Sequence, residues 1–170
     1  MPTRYINRDI EKRLRVAARQ FPSIIVTGPR QSGKTTLLKH LFQRSHRYVS
    51  MDNPDIRIMA QDEPVLFFEN YPPPVIIDEI QYAPQLISYI KILIDKNRSA
   101  HGRFILTGSQ SFPLMANVGE SLAGRIAVFN LLPFSFREYF KKEDLRNFNK
   151  LKKAVLLGGF PEIVTAKNIN

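Results

Sequence analysis

The sequence contains no cysteine among its 170 residues, which excludes a disulfide framework and a zinc site built on thiolates. It has only three histidines, His40, His46 and His101, and they lack the spacing of metal ligands. No apolar run approaches the roughly 18 residues of a membrane span, and the basic residues 1–20 lack the apolar core of a signal peptide. We therefore expect a cytoplasmic protein that does not enter a membrane.

Acidic residues are scarce in the first 50 residues, where 11 lysines and arginines face only Asp9 and Glu11. The whole chain carries a formal net charge of +10, and residues 51–170 are nearly balanced, with 14 basic and 13 acidic side chains. Such a basic segment can bind nucleic acid through backbone phosphates, or it can form a solvated helix face. Both interpretations stay open, because no aromatic interleaving or recognition-helix pattern indicates base readout.

Five short apolar runs alternate with segments of helical periodicity. The runs are rich in β-branched residues and predict strands at 23–27, 47–51, 75–77, 104–107 and 126–129. Alternation of strands and helices is typical of an α/β layered domain with a mainly parallel sheet. Ligands of such sheets bind beyond the carboxyl ends of the strands, so functional residues are expected directly after them.

The chain is predicted to divide into three parts. Residues 1–22 form an N-terminal helix leading into the core, residues 23–140 form the α/β core, and residues 141–170 form a charged connection that enters a further helix. A chain of 170 residues is long enough for one domain with a hydrophobic core of its own.

A G-x-x-x-x-G-K-[ST] motif occupies residues 28–35, between the first predicted strand and an amphipathic helical segment at 36–42. Gly28 and Gly33 let the backbone bend around an anion without a Cβ in the way. The N–H groups of such a loop and of the first helical turn converge on phosphate oxygens. The motif therefore predicts nucleotide binding at Gly28, Pro29, Arg30, Gln31, Ser32, Gly33, Lys34, Thr35 and Thr36.

Four side chains have specific expected roles in phosphate chemistry. Lys34 is expected to contact the β- and γ-phosphates, and the Thr35 hydroxyl to ligate Mg²⁺. Asp78 and Glu79 follow the predicted strand at 75–77. We expect Asp78 to hold Mg²⁺, directly or through water, and Glu79 to activate the attacking water. Alone, a strand that ends in Asp-Glu could equally cap the next helix, but its pairing with the phosphate-binding motif, 44 positions after Lys34, favours the catalytic interpretation.

Two further candidates rest on weaker patterns. The strand at 104–107 leads into Gly-Ser-Gln, where Ser109 is expected to hydrogen-bond the γ-phosphate or the attacking water, with Thr107 and Gln110 as alternatives. An ordinary turn would have the same composition. Arg125 directly precedes the fifth strand, and an arginine beside a γ-phosphate can neutralise charge that develops in the transition state. A structural salt bridge is the alternative role for Arg125.

The motifs and their order resemble an AAA+ ATPase core, specifically that of the prokaryotic AAA proteins that carry a C-terminal domain of unknown function. The matching stretches extend over nearly the whole chain and lie at 28–35, 75–81, 104–109, 121–125, 132–138 and 158–162. The resemblance implies a three-layer P-loop NTPase fold with a parallel five-stranded sheet of order 5-1-4-3-2. It also implies ATP and Mg²⁺ as cofactors.

The resemblance further implies roles and partners. It would bring Ser109 between Lys34 and Glu79 as a sensor of the γ-phosphate. Arg125 would occupy the place of an arginine finger, acting in cis or across a subunit interface of a homo-oligomer. Members of that family continue beyond the 158–162 motif into a helical lid and a C-terminal domain, so residues 141–170 are expected to begin a region that this sequence does not complete.

Three functions are compatible with these motifs. The first is Mg²⁺-dependent ATP hydrolysis, and the second is a nucleotide-dependent switch with negligible turnover that binds a protein or nucleic acid. A small-molecule or nucleotide kinase is the third, and it is disfavoured because the sequence shows no arginine-rich lid for an acceptor phosphate. The lack of an Asn-Lys-x-Asp guanine-reading motif adds to the preference for adenine.

Overall fold

The computed structural model describes residues 5–109, 112–139, 148, 149, 152, 155 and 158–165 of the chain. These residues contain a five-stranded sheet in which every neighbouring pair of strands is parallel. The order across the sheet is β2-β3-β4-β1-β5, which is the predicted order 5-1-4-3-2 counted from the opposite edge. The predicted α/β class and strand order are therefore confirmed. The strands are β1 (Ser23–Gly28), β2 (Arg47–Ser50), β3 (Val75–Asp78), β4 (Phe104–Ser109) and β5 (Ile126–Asn130).

Helices connect these strands, because parallel neighbours cannot be joined by tight hairpins. The first three helices are α1 (Glu11–Gln20), α2 (Lys34–Phe42) and α3 (Pro54–Asp62). They are followed by α4 (Pro64–Asn70), a 3-10 turn (Ile80–Tyr82), α5 (Leu86–Lys96), α6 (Phe112–Ser121), α7 (Phe136–Tyr139) and α8 (Pro161–Thr165).

The sheet is covered by helices on both faces, which gives three layers. Successive side chains of a strand point to opposite faces. On β1, Ile25 packs into a core formed with α3, α4, α5 and α6, whereas Ile24 and Val26 pack into a second core formed with α1 and α2. All six residues of β1 are buried, which explains why its sequence is a continuous apolar run rather than an alternating one.

Because the strands are parallel, their carboxyl-terminal ends lie side by side. This line of strand ends, which runs across all five strands, is named here the carboxyl edge of the sheet. The register places Gly28 at the end of β1 beside Ser109 at the end of β4. Further along the same carboxyl edge, Ser50 at the end of β2 lies beside Asp78 at the end of β3. The predicted functional residues that follow strands are thus collected along this edge.

Helix α6 is the main element that the sequence does not predict. Its sequence includes Pro113 and Gly119, which lower helix propensity. Val118 of this helix is nonetheless 1% exposed and belongs to the core shared with α5. Tertiary packing therefore stabilises a segment whose local sequence does not indicate a helix.

The predicted charged connection and helix at 141–157 lie almost entirely outside the described residues. The short helix α8 follows them and is absent from the sequence-based prediction. Among the helices that the structure describes, none has the length and apolar character that crossing a bilayer requires.

Candidate nucleotide-binding site

The segment between β1 and α2 has a backbone that turns repeatedly through left-handed conformations. Gly28 and Gly33 have positive φ angles of 145° and 92°, which glycine adopts without strain, and Gln31 has a positive φ of 61° although it carries a side chain. Gly28 has a steric reason as well, because a Cβ atom there would lie 2.2 Å from the carbonyl oxygen of Leu131. These turns wrap the loop around the N-terminus of α2.

One buried polar group of this loop lacks a hydrogen-bond partner among the described residues. Ser32 is fully buried, and its Oγ makes no hydrogen bond with any described residue. A buried hydroxyl without a partner costs free energy, so a ligand that bonds to it gains accordingly. Phosphate oxygens would accept bonds from this hydroxyl and from the N–H groups at the start of α2. The loop therefore fits the phosphates of a nucleotide.

Lys34 begins α2 and is 5% exposed. Its Nζ donates hydrogen bonds to the carbonyl oxygens of Gly28 at 3.1 Å and Pro29 at 2.9 Å. Burial lowers the pKa of Lys34 from its ordinary value, while the nearby carboxylates of Glu79 and Asp78 oppose that shift. An anionic phosphate in the loop would favour the charged form further. The ammonium group is therefore placed to bind phosphate.

Asp78 ends β3 and is 3% exposed, and three hydroxyl groups surround its carboxylate. Thr35 Oγ1 lies 3.1 Å from Oδ1 and 2.9 Å from Oδ2. Tyr48 of β2 donates to Oδ2 at 2.7 Å, and Thr107 of β4 donates to Oδ1. Four elements thus converge on one carboxylate at the carboxyl edge.

The pair formed by Thr35 and Asp78 has the donor atoms that Mg²⁺ prefers. In nucleotide enzymes, Mg²⁺ is bound by one or two protein oxygens together with substrate phosphates and water. Within the described part of the chain, no cluster of three or more His, Asp or Glu side chains could hold a metal by itself. A Mg²⁺ ion at this pair would therefore take most of its ligands from the nucleotide and water.

Glu79 follows β3 in a left-handed conformation, with φ 57° and ψ 48°. Its main-chain N–H donates to Thr107 Oγ1 at 3.0 Å, and its carboxylate accepts a hydrogen bond from Gln81 Nε2. The Oε1 atom of Gln81 is buried and has no partner among the described residues. The strained backbone separates the directions of the two adjacent acids, so that Asp78 lies toward Thr35 while Glu79 is held by Gln81.

The end of β4 brings two of the three predicted side chains, Ser109 and Thr107, to different parts of the site. Ser109 is half-buried and lies beside Gly28, so it reaches the loop as expected. Thr107, the first alternative, is fully buried and bonds to both Asp78 and the main chain of Glu79. Gln110, the other alternative, lies outside the described residues. Thr107 therefore organises the acid pair, and the γ-phosphate role of Ser109 stays a prediction.

Arg125 lies at the amino-terminal ends of the strands, whereas the loop lies at their carboxyl-terminal ends. Its carbonyl oxygen accepts a hydrogen bond from the N–H of Ser23, the first residue of β1, at 3.2 Å. The loop begins at the far end of that six-residue strand, about 16 Å away at the usual rise per residue. The guanidinium group instead forms an ion pair with Asp95, at 3.0 Å. Contact with the γ-phosphate of its own chain is excluded by this placement, and contact with a neighbouring copy stays a prediction.

The remaining predicted binding residues are exposed in the loop and in the first turn of α2. Pro29, Arg30, Gln31 and Thr36 are exposed. Arg30 donates to the hydroxyl group of Tyr82 at 3.2 Å, which ties the loop to the 3-10 turn after Glu79. These four residues border the site, and the sequence motif alone does not distinguish them from the buried ones.

Tyr48 is a site residue that the sequence-based reasoning missed. Burial and the hydrogen bond to Asp78 raise its pKa above the ordinary value, so the hydroxyl stays protonated and acts as a donor. Its ring also carries the ammonium group of Lys39, which lies 3.6 Å from the ring centroid. One sequence signal could have indicated Tyr48: it is a polar aromatic residue in a strand that otherwise faces a core.

We expect Tyr48→Phe to raise the Mg²⁺ concentration needed for half-maximal nucleotide binding about tenfold, because partners that orient a metal-binding carboxylate typically contribute ten- to a hundredfold in metal affinity. The ring packing against Lys39 would be retained. Titration of Mg²⁺ at fixed nucleotide concentration measures the effect. Tyr82→Phe is the matched control, since its hydroxyl contacts Arg30 rather than Asp78. An unchanged Mg²⁺ requirement in Tyr48→Phe would contradict the orienting role.

Comparison with curated proteins finds relatives that are much longer than this chain. The uncharacterized protein Rv2008c of Mycobacterium tuberculosis is 33% identical over 164 residues, covering 95% of this chain and 35% of the relative. The uncharacterized protein MJ1544 of Methanocaldococcus jannaschii is 28% identical over 188 residues, covering 97% of this chain and 40% of the relative. The chain thus spans little more than a third of the length of these relatives.

Solved structures share the fold at low sequence identity. The Walker-type ATPase PABY2304 of Pyrococcus abyssi superposes with a TM-score of 0.61 at 18% identity, over 94% of this chain and 66% of that one. A signal transduction ATPase with numerous domains and a tetratricopeptide repeat sensor, PH0952 of Pyrococcus horikoshii, gives a TM-score of 0.56 at 15% identity. That match covers 96% of this chain and 30% of the neighbour.

The family model described as an AAA domain matches residues 20–140. This range contains the sheet, the phosphate-binding loop and both acids of the 78–79 pair. The sequence-based resemblance and the geometry of the loop point to the same group of proteins. The chain therefore belongs to the AAA domain family, and its core is an AAA+ type P-loop NTPase.

Proposed function

We propose that the protein binds ATP with Mg²⁺ and hydrolyses it. The observation that carries this proposal is the contact between Thr35 and Asp78, at 2.9 and 3.1 Å, directly beside Lys34. The hydroxyl comes from the end of the phosphate-binding motif and the carboxylate from the end of another strand. Their meeting is what binding of Mg²⁺ between protein and phosphates requires.

Each residue has a defined part in the proposed reaction. Lys34 exchanges its bonds to the carbonyl oxygens of Gly28 and Pro29 for bonds to phosphate oxygens. Thr35 and Asp78 would hold Mg²⁺, which supplies neutralisation of charge on the β- and γ-phosphates. Glu79 orients and deprotonates the attacking water, after exchanging its bond with Gln81.

The residues on β4 support this arrangement. Thr107 holds Asp78 and the main chain of Glu79 in place, because it contacts both. Ser109 is the closest described polar side chain of β4 to the loop in register, beside Gly28, which favours a contact with the γ-phosphate or the water. The choice of ATP over GTP rests on the AAA domain family, and a cytoplasmic location, where ATP and Mg²⁺ are abundant, belongs to the same proposal.

The direct test is calorimetric titration of the 170-residue chain with ATP and ADP, together with steady-state release of phosphate. Both are measured in Mg²⁺ and again with the metal removed by EDTA. We expect binding that weakens without Mg²⁺ and phosphate release that requires it. A folded sample that binds neither nucleotide in Mg²⁺ would overturn the proposal.

A homo-oligomer is part of the proposal, because Arg125 can reach a γ-phosphate only on a neighbouring copy. We expect turnover per chain to rise with protein concentration, and we expect Arg125→Ala to remove that rise. Arg98→Ala is the matched control, since Arg98 is the other arginine paired with Asp95. Turnover that is independent of concentration, or equally reduced by both substitutions, would assign Arg125 a structural role.

A nucleotide-dependent switch with negligible turnover is the second candidate. One observation favours it: the carboxylate of Glu79 is held by Gln81 rather than left open to water. The basic N-terminal segment offers a surface for a nucleic acid or an acidic protein partner. In this case ATP would change affinity for the partner. Equal affinity for a mixed-sequence oligonucleotide with ATP, with ADP and without nucleotide would argue against a switch that acts on nucleic acid.

A further inference from the structure

Arg8, which precedes α1, is almost fully buried although it belongs to the basic N-terminal segment. It is 7% exposed. Its guanidinium group uses all three nitrogens: Nη1 donates to the carbonyl oxygen of Ser32 at 3.0 Å, Nη2 to that of Leu132 at 2.7 Å, and Nε to Glu138 at 3.0 Å. This arginine is therefore bound inside the protein and is withdrawn from any nucleic-acid surface.

Glu138 of α7 is the counter-ion of Arg8 and is held as firmly. It accepts main-chain hydrogen bonds from Asp9 and Ser135, both at 2.8 Å. Burial alone would raise the pKa of Glu138, but these hydrogen bonds and the charge of Arg8 outweigh it and hold the pKa below its usual range. The ion pair is therefore charged at neutral pH, and it fixes Arg8 from the side opposite the loop.

The bond to Ser32 acts on the phosphate-binding loop itself. A trans peptide unit is planar, so its C=O and N–H bonds point in opposite directions. Holding the Ser32 carbonyl on Arg8 therefore turns the N–H of Gly33 away from the guanidinium group. A Cβ atom on Gly33 would lie 3.6 Å from Nη1 of Arg8 and 3.4 Å from Cγ of Pro161, so the guanidinium group also lies close to the Cα of Gly33. Its positive charge also polarises the peptide and strengthens the N–H donor.

Arg8 also contacts the segment at 132–138. This segment matches the family in sequence, but the motifs assign it no chemical role. The guanidinium lies over the ring of Phe134, 4.4 Å from its centroid. Phe134 in turn donates its N–H to the carbonyl oxygen of Gly159 at 2.6 Å, and a Cβ on Gly159 would lie 2.3 Å from the carbonyl oxygen of Phe134. The stretches at 132–138 and 158–162 are thereby connected through Arg8 to the phosphate-binding loop.

We propose that Arg8 is a positioning residue that orients the Ser32–Gly33 peptide for phosphate binding and couples the loop to the 132–138 segment through Glu138. The inference rests on the proposed nucleotide-binding function and specifies how its loop is preorganised. Arginine suits this role because three separate nitrogens of its planar fork donate in different directions, whereas a lysine presents all its donors from a single nitrogen. A purely structural arginine would stabilise the fold without affecting the direction of the Gly33 N–H.

The test is Arg8→Lys, which keeps the charge and removes the fork. Its matched control is Arg103→Lys, because Arg103 is also partly buried, donates to a main-chain carbonyl (Leu93, 2.8 Å) and lies over an aromatic ring. Arg103 precedes β4, so it lies at the edge of the sheet away from the loop. Dissociation constants for ADP are measured by calorimetry, with thermal unfolding of each variant recorded in parallel.

We expect Arg8→Lys to raise the dissociation constant for ADP about tenfold, the effect of losing one charge-assisted hydrogen bond that shapes the site. The dissociation constant of Arg103→Lys for ADP should stay within about twofold of the wild-type value, even if its melting temperature falls as much as that of Arg8→Lys. Affinity that is unchanged in Arg8→Lys, or that falls in both variants in proportion to melting temperature, would overturn the inference. If Arg8→Lys does not fold, Glu138→Gln replaces it and should weaken ADP binding in the same direction; unchanged affinity in that variant has the same negative meaning.

A spectroscopic measurement separates this inference from the proposed function. The chain has eight glycines, so protein labelled with ¹⁵N-glycine gives a simple amide spectrum. In nucleotide-free protein, the Gly33 amide resonance should move in Arg8→Lys and stay in place in Arg103→Lys. An unmoved Gly33 resonance would overturn the positioning role even in a wild-type protein that binds ADP. A moved resonance in a protein that binds no nucleotide would support the positioning role and leave the proposed function as the part that failed.

Discussion

Glu79→Gln should lower the steady-state rate of ATP hydrolysis by about a hundredfold or more and leave ATP affinity within about twofold. A general base contributes roughly 10² to 10⁴ to a rate, and glutamine has the same shape without the capacity to take a proton. Affinity should be retained because Glu79 lies beside the acid and the loop that hold phosphate and contacts neither Lys34 nor Thr35 by a hydrogen bond. Phosphate release and calorimetric titration measure the two quantities.

Two controls make this result specific. Glu69→Gln removes an exposed carboxylate from α4, on the surface of the domain, and should leave both quantities unchanged. Thermal unfolding of Glu79→Gln should also be close to that of the wild type, because an amide group can still bond to Gln81. Unaltered turnover in Glu79→Gln would remove Glu79 from the mechanism. It would direct the search for the water-activating group to other polar side chains at the carboxyl edge.

Lys34→Ala should weaken ATP and ADP binding about a hundredfold. Lys34 is a buried motif side chain whose formal charge is expected to lie against the phosphates, and charge-assisted hydrogen bonds contribute about 1.5 to 3 kcal/mol each. Two such bonds together correspond to a factor of about a hundred or more. The substitution also leaves the carbonyl oxygens of Gly28 and Pro29 without their donor, so the nucleotide-free loop loses a constraint.

The matched control for Lys34→Ala is Lys91→Ala on α5, which removes an exposed lysine remote from the loop and should not change affinity. Binding of both nucleotides is followed by calorimetry, so that turnover does not complicate the comparison. If Lys34→Ala binds ADP as the wild type does, the loop does not bind phosphate in the proposed manner. The two predictions are independent, because one alters turnover and the other alters binding.

The residues that the sequence revealed are those that lie next to one another in the chain. Gly28, Gly33, Lys34 and Thr35 lie within one short motif, and its local spacing is enough to predict where phosphate binds. Asp78 could also be predicted from the sequence, because an acid at the end of a buried strand must lie at the carboxyl edge of a parallel sheet. The fold class followed in the same way, since continuous apolar runs indicate strands covered on both faces.

The residues that the sequence did not reveal depend on which strands become neighbours. Tyr48 reaches Asp78 because β2 pairs with β3 in a register that places Ser50 beside Asp78, and residues two apart share a face of the sheet. Thr107 reaches it because β4 is the other neighbour of β3. Neither register can be obtained from local periodicity. Arg8 illustrates the opposite error. A basic residue in the N-terminal segment suggests a surface charge, but Arg8 is buried and donates to three acceptors that are distant in the sequence.

The position of β1 has a consequence for how the protein is made. β1 is the first strand in the chain, yet its two neighbours in the sheet are β4 and β5. On a ribosome, the strand that leads into the phosphate-binding loop emerges early and remains without either partner until residues 104–109 and then 126–130 have been synthesised. β1 therefore lacks both of its neighbours while the segments between β1 and β4 are synthesised, and the sheet around the loop is completed only when β5 joins it.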